Sequence, residues 1–467
     1  MTETLLDRRH TAMMLAVMFF ATLMDGLDSS IVSVALPDIG IGLGMDTGTA
    51  SWVSIVYMMV LASLIIPFAR ICSNVGVRAT LVAGFGIFTV SSLFCGISNS
   101  FAMLIVSRTI QGIGAAMLAA AGPICCTEHL PRDRLAFGLA VLTIGSSLGY
   151  AFGPAVGGVI VEFLSWNWIF LINIPLGLII IPIAYLAVPP SSRKEGGANL
   201  DLVGTAALFV AISSGIFALE TVAYAEMRTL TIASAALFLV FTGIFIRWEL
   251  GHPNPLLKLG MFRDFGFMSV FLCLMFVNVS YMVMIYLVPF FGEICVGLSP
   301  MEMGLILFIP AVITATTGMP VSKMSDRWGR RPFCIIAGMI TGLTLLLYVL
   351  LAREMDVVTL IIIMIPNGLG WAFVGGPMAS RLVEHAGDER DMAASMTNEA
   401  YYIGGTLGLA VSAMVFTLFS KTDGVDISDV PASAFLDGFV AACVAGLLFA
   451  VGIVVLSWML RDDKMER

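Results

Sequence analysis

Residues 358–380 read VTLIIIMIPNGLGWAFVGGPMAS, a run without a single charged side chain. About 20 mostly apolar residues in helical form cross the hydrocarbon core of a bilayer, so this run is long enough to span one. It lacks the alternation of apolar and polar positions that a membrane-spanning β-strand requires. The run is therefore typical of a transmembrane α-helix.

The rest of the chain has the same character. Of its 467 residues, 59% are hydrophobic and only 12% are charged, and the mean hydropathy is +0.98. A water-soluble fold cannot bury so much apolar surface, so the bilayer must serve as the solvent. Because every backbone amide must find a partner inside the lipid, we expect an all-α integral membrane protein.

Fourteen apolar stretches are predicted to span the membrane, with boundaries taken from the ends of each apolar run. They are 12–36, 50–69, 79–97, 101–124, 137–160, 167–188, 202–220, 229–248, 267–290, 301–322, 333–352, 358–381, 391–419 and 434–460. The first stretch is expected to be a retained helix and not a signal peptide, because it continues through aspartates and lacks a small-residue cleavage site.

The distribution of lysine and arginine predicts the orientation of these spans. Of the 24 cations, 20 fall in segments that the threading places on one side of the membrane. The exceptions are Arg228, Arg353 and Lys421 on the other side, and Arg108 inside a span. Because cationic loops resist translocation, we expect a multi-pass protein of the cytoplasmic membrane with both termini in the cytoplasm.

Two polar stretches and one repeated loop predict how the spans are grouped. The polar stretches 189–201 and 252–264 enclose just two spans. The loop Gly76-Val77-Arg78 follows span two, and SDRWGRR at 325–331 follows span ten in the same relation. We therefore expect an N-terminal six-helix bundle (1–190), a linker with two inserted helices (191–261) and a C-terminal six-helix bundle (262–467), which is the architecture of a secondary transporter.

Several classes of function are disfavoured by the residues present. The eight cysteines have no metal-ligand spacing, and the four histidines lie at span ends or in loops, so we expect neither a metal site nor haem. No G-x-x-x-x-G-K-[ST] motif occurs in the sequence. We expect no enzymatic activity, no catalytic residue, no nucleic-acid partner and no cofactor, with a proton gradient as the energy source.

Four ionisable residues within spans are candidates for proton coupling: Asp25, Asp28, Arg108 and Glu399. Asp25 and Asp28 lie near the middle of span one, where translocon scales assign an aspartate roughly +2.5 to +3.5 kcal/mol. The two are about one helical turn apart and can share a polar cavity. Arg108 lies about 12 Å below the predicted outer surface, at the depth of Asp28. We expect Arg108 to pair with Asp28 or Asp25 and to change partner as protons bind; the alternatives are a static ion pair and an arginine that extends to the headgroups.

Span five contains a periodic glycine motif, GSSLGYAFGPAVGG at 145–158. Its glycines at every fourth position line one helical face and predict close approach of another helix. Proline removes one backbone hydrogen bond and is expected to bend the span. The motif residues are Gly145, Gly149, Gly153, Pro154, Gly157 and Gly158.

Span thirteen carries a second buried acid, Glu399, beside Asn398, Tyr401 and Tyr402. A carboxylate with aromatic neighbours attracts a lipophilic cation, and it is equally suited to bind a proton. The remaining alternative is an acid that faces water at the cytoplasmic end. Met282 in span nine is predicted to add a flexible wall to the same substrate cavity, or else to fill a packing gap.

The loop SDRWGRR is predicted to act as a cytoplasmic gate. Asp326 can accept hydrogen bonds from helix N-terminal amides or pair with an arginine of the opposing half. The other residues of the predicted gate, which also anchor the topology, are Arg327, Gly329, Arg330 and Arg331.

These motifs resemble those of the major facilitator superfamily, and in particular its fourteen-span drug:proton antiporter branch (EmrB/QacA-type), along nearly the whole chain. The resemblance implies roles in coupling for Asp28 and Arg108, and an antiporter motif in span five. The matching segments are LDSSIVSVALP (27–37), RTIQGIGAA (108–116), GSSLGYAFGPAVGG (145–158), WNWIFLINIPLG (166–177), NLDLVG (199–204) and PLLKLGMF (255–262).

The sequence departs from the pattern of that branch at a few positions. Ser73 and Asn74 stand in the first loop where the pattern has charged residues, although SDRWGRR keeps them. Asn167 stands where arginine is usual, and Glu399 and Tyr401 stand where neutral and basic residues are common. The gating of the N-terminal half and the binding chemistry of span thirteen are therefore expected to be particular to this chain.

The function that these expectations favour is a proton-coupled exporter of amphipathic, mainly cationic drugs or toxic compounds, working as a monomer by alternating access. Its partners would be protons, lipophilic small molecules and membrane lipids. Two alternatives remain open. One is a dedicated exporter of an endogenous metabolite or lipid with the same fold, and the other is a non-transporting membrane receptor of transporter ancestry.

Overall fold

A computed structural model describes residues 8–45, 47–190, 201–222, 227–253, 255–421 and 430–460. Regular structure in these residues is helical, without a β-strand. The helices are α1 (Arg8–Leu43), α2 (Thr47–Val75), α3 (Val77–Gly96), α4 (Phe101–His129), α5 (Leu135–Phe163), α6 (Trp168–Leu171), α7 (Asn173–Ala187), α8 (Leu202–Thr221), α9 (Arg228–Gly251), α10 (Phe265–Phe291), α11 (Pro300–Trp328), α12 (Arg331–Leu351), α13 (Val357–Glu384), α14 (Arg390–Ser420) and α15 (Ala432–Met459).

Fourteen segments of the described chain are long and apolar enough to cross a membrane, as the sequence predicts. Helices α6 and α7 together form the sixth of them, Trp168–Ala187. Several helices run past the predicted spans, and α11 for example ends at Trp328, six residues beyond the predicted end. The predicted ends follow the apolar run, whereas backbone hydrogen bonding continues into polar residues at the membrane surface.

Helix starts are set by side-chain caps where the chain enters a span. Asp264 accepts a hydrogen bond from the amide of Phe267 at the start of α10. Asp356 does the same for Thr359 at the start of α13. Such caps satisfy amide groups that have no partner within the helix.

The described chain groups into two compact units. Unit 1 comprises Met1–Gly215, Ala236–Leu259 and Asp388–Glu399, and unit 2 comprises Ile216–Ala235, Gly260–Gly387 and Ala400–Arg467. The first residues of α14 are thus grouped with unit 1 and the rest of that helix with unit 2. The division into two bundles and a linker at 190 and 261 stays a prediction.

Each unit has its own apolar core. A cluster of fully buried side chains in unit 1 includes Ile31 of α1, Val53 of α2 and Phe170 of α6. In unit 2 the corresponding cluster is built around stacked rings such as Phe291 and Phe439, whose centroids lie 4.6 Å apart.

The loop before α3 and the loop before α12 have the same backbone conformation at one glycine. Gly76, before α3, has φ 103° and ψ 149°, and Gly329, before α12, has φ 91° and ψ 154°. Residues with a side chain rarely adopt these angles, so both positions require glycine. The two loops that the sequence suggests are equivalent therefore share their geometry.

A matching arginine follows each of these glycines. Arg78 donates to the carbonyl oxygen of Val188, at the end of α7, and Arg331 donates to the carbonyl oxygen of Trp458, near the end of α15. Carbonyl groups at a helix C-terminus lack helical partners and attract cations. The first arginine thus ties the start of α3 to the end of α7, and the second ties the start of α12 to the end of α15.

Candidate functional site

The glycines of α5 bring α1 into direct contact with that helix. A methyl group on Gly149 would lie 2.5 Å from the carbonyl oxygen of Leu23, and one on Gly153 would overlap the hydroxyl of Ser30. Gly26 of α1 is equally close to α5, since a methyl group there would lie 2.6 Å from the carbonyl oxygen of Ser146. The contact places the polar stretch of α1, with both aspartates, in the interior of unit 1.

The six residues of the predicted motif do not all share this role. Gly145 and Gly157 also face α1, where a methyl group would meet Phe19 and Ile31. Gly158 faces open space, and Pro154 is exposed on a helix that continues through it. The packing face is therefore made by the four glycines at every fourth position.

Asp28 and Arg108 form a buried ion pair in unit 1. Arg108 Nη1 lies 2.6 Å from Asp28 Oδ2, and both side chains are essentially inaccessible to solvent. Gln111 Nε2 and Asn173 Nδ2 donate to Asp28 Oδ1 at 2.9 and 3.0 Å. The carboxylate therefore accepts hydrogen bonds from residues of α4 and α7 in addition to the arginine. Such a set of donors stabilises its charge in a region from which water is excluded.

Arg108 is held from several sides. Its Nε donates to the carbonyl oxygen of Val53 at 3.0 Å, and its Nη1 also donates to Gln111 Oε1 at 2.7 Å. The guanidinium carbon lies 4.1 Å from the ring centroid of Tyr57 and 5.5 Å from that of Phe170. Hydrogen bonds and ring faces together replace the hydration that the cation would have in water.

Asp25 joins the same cluster through Tyr57. The hydroxyl of Tyr57 donates to Asp25 Oδ1 at 2.7 Å, while the ring of Tyr57 faces Arg108. Asp25 is half-buried and Asp28 is completely buried. In this structure Arg108 pairs with Asp28, one of the two partners considered from the sequence, and the exchange of partners stays a prediction.

Sequence reasoning missed three residues of this cluster: Gln111, Asn173 and Tyr57. Gln111 lies three residues after Arg108 in α4, so it faces a similar direction, and that spacing was the signal available for it. Asn173 is a polar residue in the apolar run of the sixth span. Tyr57 offered no signal, because tyrosines are common in membrane helices.

Glu399 is a second buried acid, and it has no compensating partner in the described part of the chain. It is 1% exposed, and neither carboxylate oxygen has a hydrogen-bond partner there. The residues just before it pack on α4, since Asn398 Nδ2 donates to the carbonyl oxygen of Ala119 at 2.6 Å and Ser395 Oγ to that of Ala120 at 2.9 Å. A charged carboxylate in such a place is costly unless it binds a proton or a cation.

Tyr401 belongs to a cluster of three aromatic rings in unit 2. Its ring centroid lies 5.9 Å from that of Trp371, which in turn stacks on Tyr281 at 4.5 Å. All three residues are partly accessible, and Tyr401 Oη has no hydrogen-bond partner among the described residues. Trp371 and Tyr281 were not identified from the sequence. Such faces bind flat apolar or cationic groups.

Two other residues of the predicted substrate cavity are Met282 and Tyr402. Met282 packs on the glycine face of α14, where a methyl group on Gly405 would lie 3.5 Å from its terminal carbon. Tyr402 is partly buried on α14. The packing of Met282 on glycines agrees with the gap-filling alternative and leaves its role in binding a prediction.

The SDRWGRR loop contains an ion-paired cluster within unit 2. Arg330 Nη2 lies 2.9 Å from Asp326 Oδ1, and Arg330 also pairs with Glu384 at the end of α13. Burial lowers the pKa of the Arg330 guanidinium from its ordinary value, while the hydrogen bond to Asp326 acts in the opposite direction. Arg327 is exposed. The observed partner of Asp326 thus lies in its own loop, and the gating role of the loop stays a prediction.

The described residues contain fourteen apolar spans and a buried ion pair, as expected of a multi-pass membrane protein of the transporter class. The family model of the Major Facilitator Superfamily matches residues 18–409 and, in a second match, residues 266–466. The chain belongs to the Major Facilitator Superfamily. Its family and its fold indicate a transporter.

Two bacterial relatives match this chain over most of its length. The chain is 29% identical to the "Uncharacterized transporter YebQ" of Escherichia coli (strain K12), over 95% of this chain and 96% of that protein. It is 30% identical to the "Putative multidrug resistance protein MdtD" of Citrobacter koseri, over 73% of this chain and 72% of that protein.

A solved structure shares the fold. The human organic anion transporter MFSD10 (TETRAN) superposes with a TM-score of 0.62, covering 94% of this chain and 99% of its own, at 14% sequence identity. At this level of identity the similarity concerns the fold alone.

Proposed function

We propose that this protein is a proton-coupled exporter of amphipathic, mainly cationic compounds. The observation that carries the proposal is the buried pair of Arg108 and Asp28, connected through Tyr57 to Asp25. Ionisable groups are costly inside a membrane, and they mark ion and proton pathways. The name of the MdtD relative supports drug efflux as the kind of transport.

In the proposed cycle a proton enters from outside and neutralises Asp28 or Asp25. Neutralisation removes the charge that holds Arg108, so the cluster rearranges and the substrate leaves outward. A proton released to the cytoplasm restores the ion pair. Protons and cationic substrates compete for the available acids, and this competition couples their movements.

The preference for lipophilic cations is supported by two features described above. Glu399 is a buried carboxyl without a partner among the described residues. The rings of Tyr281 and Trp371 are stacked, the ring of Tyr401 is tilted against Trp371, and all three are partly accessible. A single acid suits a positive charge, and stacked rings suit a flat apolar body. The cation distribution in the sequence further supports placement in the cytoplasmic membrane with both termini inside, and we take the working unit to be one chain.

Transport into proteoliposomes under an imposed pH gradient tests the proposal. Wild-type protein should move a cationic dye against its gradient, and D28N should not, because asparagine cannot exchange a proton. D38N is the matched control, since Asp38 lies on the same helix and is exposed. A D28N variant that still couples dye movement to the pH gradient overturns the proposed role of Asp28.

A panel of unrelated dyes separates this proposal from a dedicated exporter of one metabolite or lipid. A multidrug exporter should move several of the dyes, whereas a dedicated exporter should move almost none. The receptor alternative instead predicts that D28N keeps the activity of the wild type and that no substrate of any class drives proton flux in vesicles.

A further inference from the structure

Two buried carboxylates meet at the base of the inserted helix pair, far along the chain from the acids discussed above. Asp201 immediately precedes α8 and Glu249 lies near the end of α9, and both belong to unit 1. They are 6% and 4% exposed. Their segments include NLDLVG and lead into PLLKLGMF, motifs that the proposed transport cycle does not use.

Asp201 is well supplied with neutral donors. Trp248 Nε1 lies 2.9 Å from each of its carboxylate oxygens, and the amide of Gly204 donates to Oδ1 at 2.8 Å. Asp201 is therefore also the cap of α8. These donors suit a carboxylate, although none of them carries a charge to balance it.

Glu249 is satisfied on one oxygen only. Its Oε2 accepts a hydrogen bond from the amide of Leu257 at 3.1 Å. Its Oε1 is fully buried and has no hydrogen-bond partner in the described parts of the chain. An acid with one orphaned oxygen in a buried place points to a missing proton or cation.

The orphaned oxygen and the carboxylate of Asp201 both face Gly204. A methyl group placed on Gly204 would lie 2.6 Å from Glu249 Oε1 and would also contact Asp201 Oδ2. The absence of a side chain at Gly204 therefore lets the two carboxyl groups approach. The titratable groups that interact with Glu249 are Asp201, before α8, and His252, after α9, whose ring stacks on Trp248 at 5.8 Å.

We propose that Glu249 Oε1 carries a proton and donates it in a hydrogen bond to Asp201, so that the pair binds one proton from solvent. Two adjacent ionised carboxylates in a buried place repel each other, whereas a carboxyl and a carboxylate attract through the shared proton. The shared proton gives Oε1 its missing partner. This site is separate from the Asp28 cluster, and the inference does not rest on the proposed transport function.

The site is connected to the start of α14. Leu257, held by Glu249, is followed by Lys258, whose Nζ lies 2.5 Å from Glu389 Oε1, one residue before α14 begins. Loss of the proton places two like charges near each other and weakens the contact between α9 and the start of α8.

Infrared spectroscopy of the full-length protein in nanodiscs tests the proton directly. The spectrum of wild type should contain a carbonyl stretch of a protonated carboxylic acid that is lost in E249Q. D201N should shift the frequency of this band, because it changes the acceptor. E399Q is the matched control. If Glu399 is also protonated, E399Q removes a different carbonyl band, and D201N should not shift that band. A spectrum of E249Q identical to that of wild type in this region overturns the proposal.

Thermal unfolding at a series of pH values provides a second measurement that requires no transport. The apparent melting temperature of wild type should fall as the pH rises, because the stabilising proton on Glu249 is lost. In E249Q, whose amide can donate to Asp201 at every pH, this fall should be absent. An equal fall of the melting temperature in both proteins contradicts the proposal. So does a melting temperature that Mg²⁺ or Ca²⁺ raises in wild type alone, because that result would assign the site to a metal ion.

Discussion

For a single side chain, the free-energy cost of burial depends on its partners and not on its charge alone. Arg108 and Asp28 are both fully buried, and each has several hydrogen-bond partners, so the pair is tolerated. Glu399 is equally buried and lacks such partners among the described residues. The same membrane interior therefore holds one compensated pair of charges and one acid that needs a proton or a cationic ligand.

Replacement of Arg108 by alanine should leave the carboxylate of Asp28 buried without its main partner. Removing one member of a buried ion pair costs about 3–5 kcal/mol, so we expect a large fall in the melting temperature together with loss of proton-coupled transport. The double variant R108Q/D28N should recover much of the stability, because no charge remains unpaired, while transport stays lost. A single R108A variant with full proton-coupled transport would contradict the proposed coupling.

Replacement of Glu399 by glutamine should separate stability from transport. The neutral amide removes the cost of a buried carboxylate, so E399Q should be at least as stable as wild type. Efflux of cationic dyes should fall at least tenfold, and efflux of neutral dyes should fall less. The control is E354Q, at an exposed glutamate. Equal efflux of both dye classes in E399Q and wild type would rule out a role for Glu399 in cation binding.

The ionisable residues of these sites could be found from the sequence, because charge inside an apolar run is conspicuous. Their similar depth also indicated that Arg108 would pair with Asp28 or Asp25. Gln111, Asn173 and Tyr57 were missed because neutral polar residues occur in many packing roles. Their contribution depends on which helices are neighbours, and hydropathy does not encode that.

At the scale of helices, the contact between α1 and α5 determines where the acids lie. Glycines on both helices bring the backbones together, and Ser30 Oγ adds a bond to the carbonyl oxygen of Gly149 at 3.2 Å. The sequence predicted the packing face of α5 correctly from its four-residue period. It could not predict that the opposing helix would be α1, or that Gly158 would face open space.

Replacement of Gly153 by alanine should disrupt this contact. The added methyl group overlaps Ser30, and overpacking of this kind costs typically about 1–3 kcal/mol. We expect a lower melting temperature and weaker transport. G158A is the matched control, because a methyl group there meets nothing within 4 Å and alanine favours a helix. Equal behaviour of G153A and G158A would show that the contact does not position α1.

Replacement of Gly329 by alanine should strain the loop between α11 and α12. At φ 91° and ψ 154° a side chain costs roughly 1–3 kcal/mol. G329A should therefore unfold at a lower temperature, whereas G260A, at a glycine with open space and no positive φ, should not. The same comparison applied to G76A checks the equivalence of the two loops, and an unaffected G76A would argue against it.

At the scale of the whole molecule, the number of spans was predictable because each one must be about 20 apolar residues long. The fourteen stretches found by hydropathy correspond to the fourteen candidate spans of the structure. Hydropathy could not predict where the helices end, or that the start of α14 groups with unit 1. Both features depend on tertiary packing.

The predicted orientation can be tested with added cysteines. Seven of the eight native cysteines are buried, so C295S gives a background of low reactivity. A membrane-impermeant maleimide should label E354C in intact cells and K323C only after the membrane is opened. Both residues are exposed, and the predicted topology places Glu354, before α13, outside and Lys323, near the end of α11, inside. The reverse pattern would invert the topology.

Tyr57 touches both a cation and an acid, since its ring faces Arg108 while its hydroxyl donates to Asp25. The near-ultraviolet absorption of a phenol depends on the charges around it, so this side chain is a natural optical reporter. The chain has nine tyrosines, and subtracting the spectrum of Y57F isolates the contribution of this one. Rapid-mixing spectroscopy can then follow the acidic cluster in real time, without a dye or an attached label.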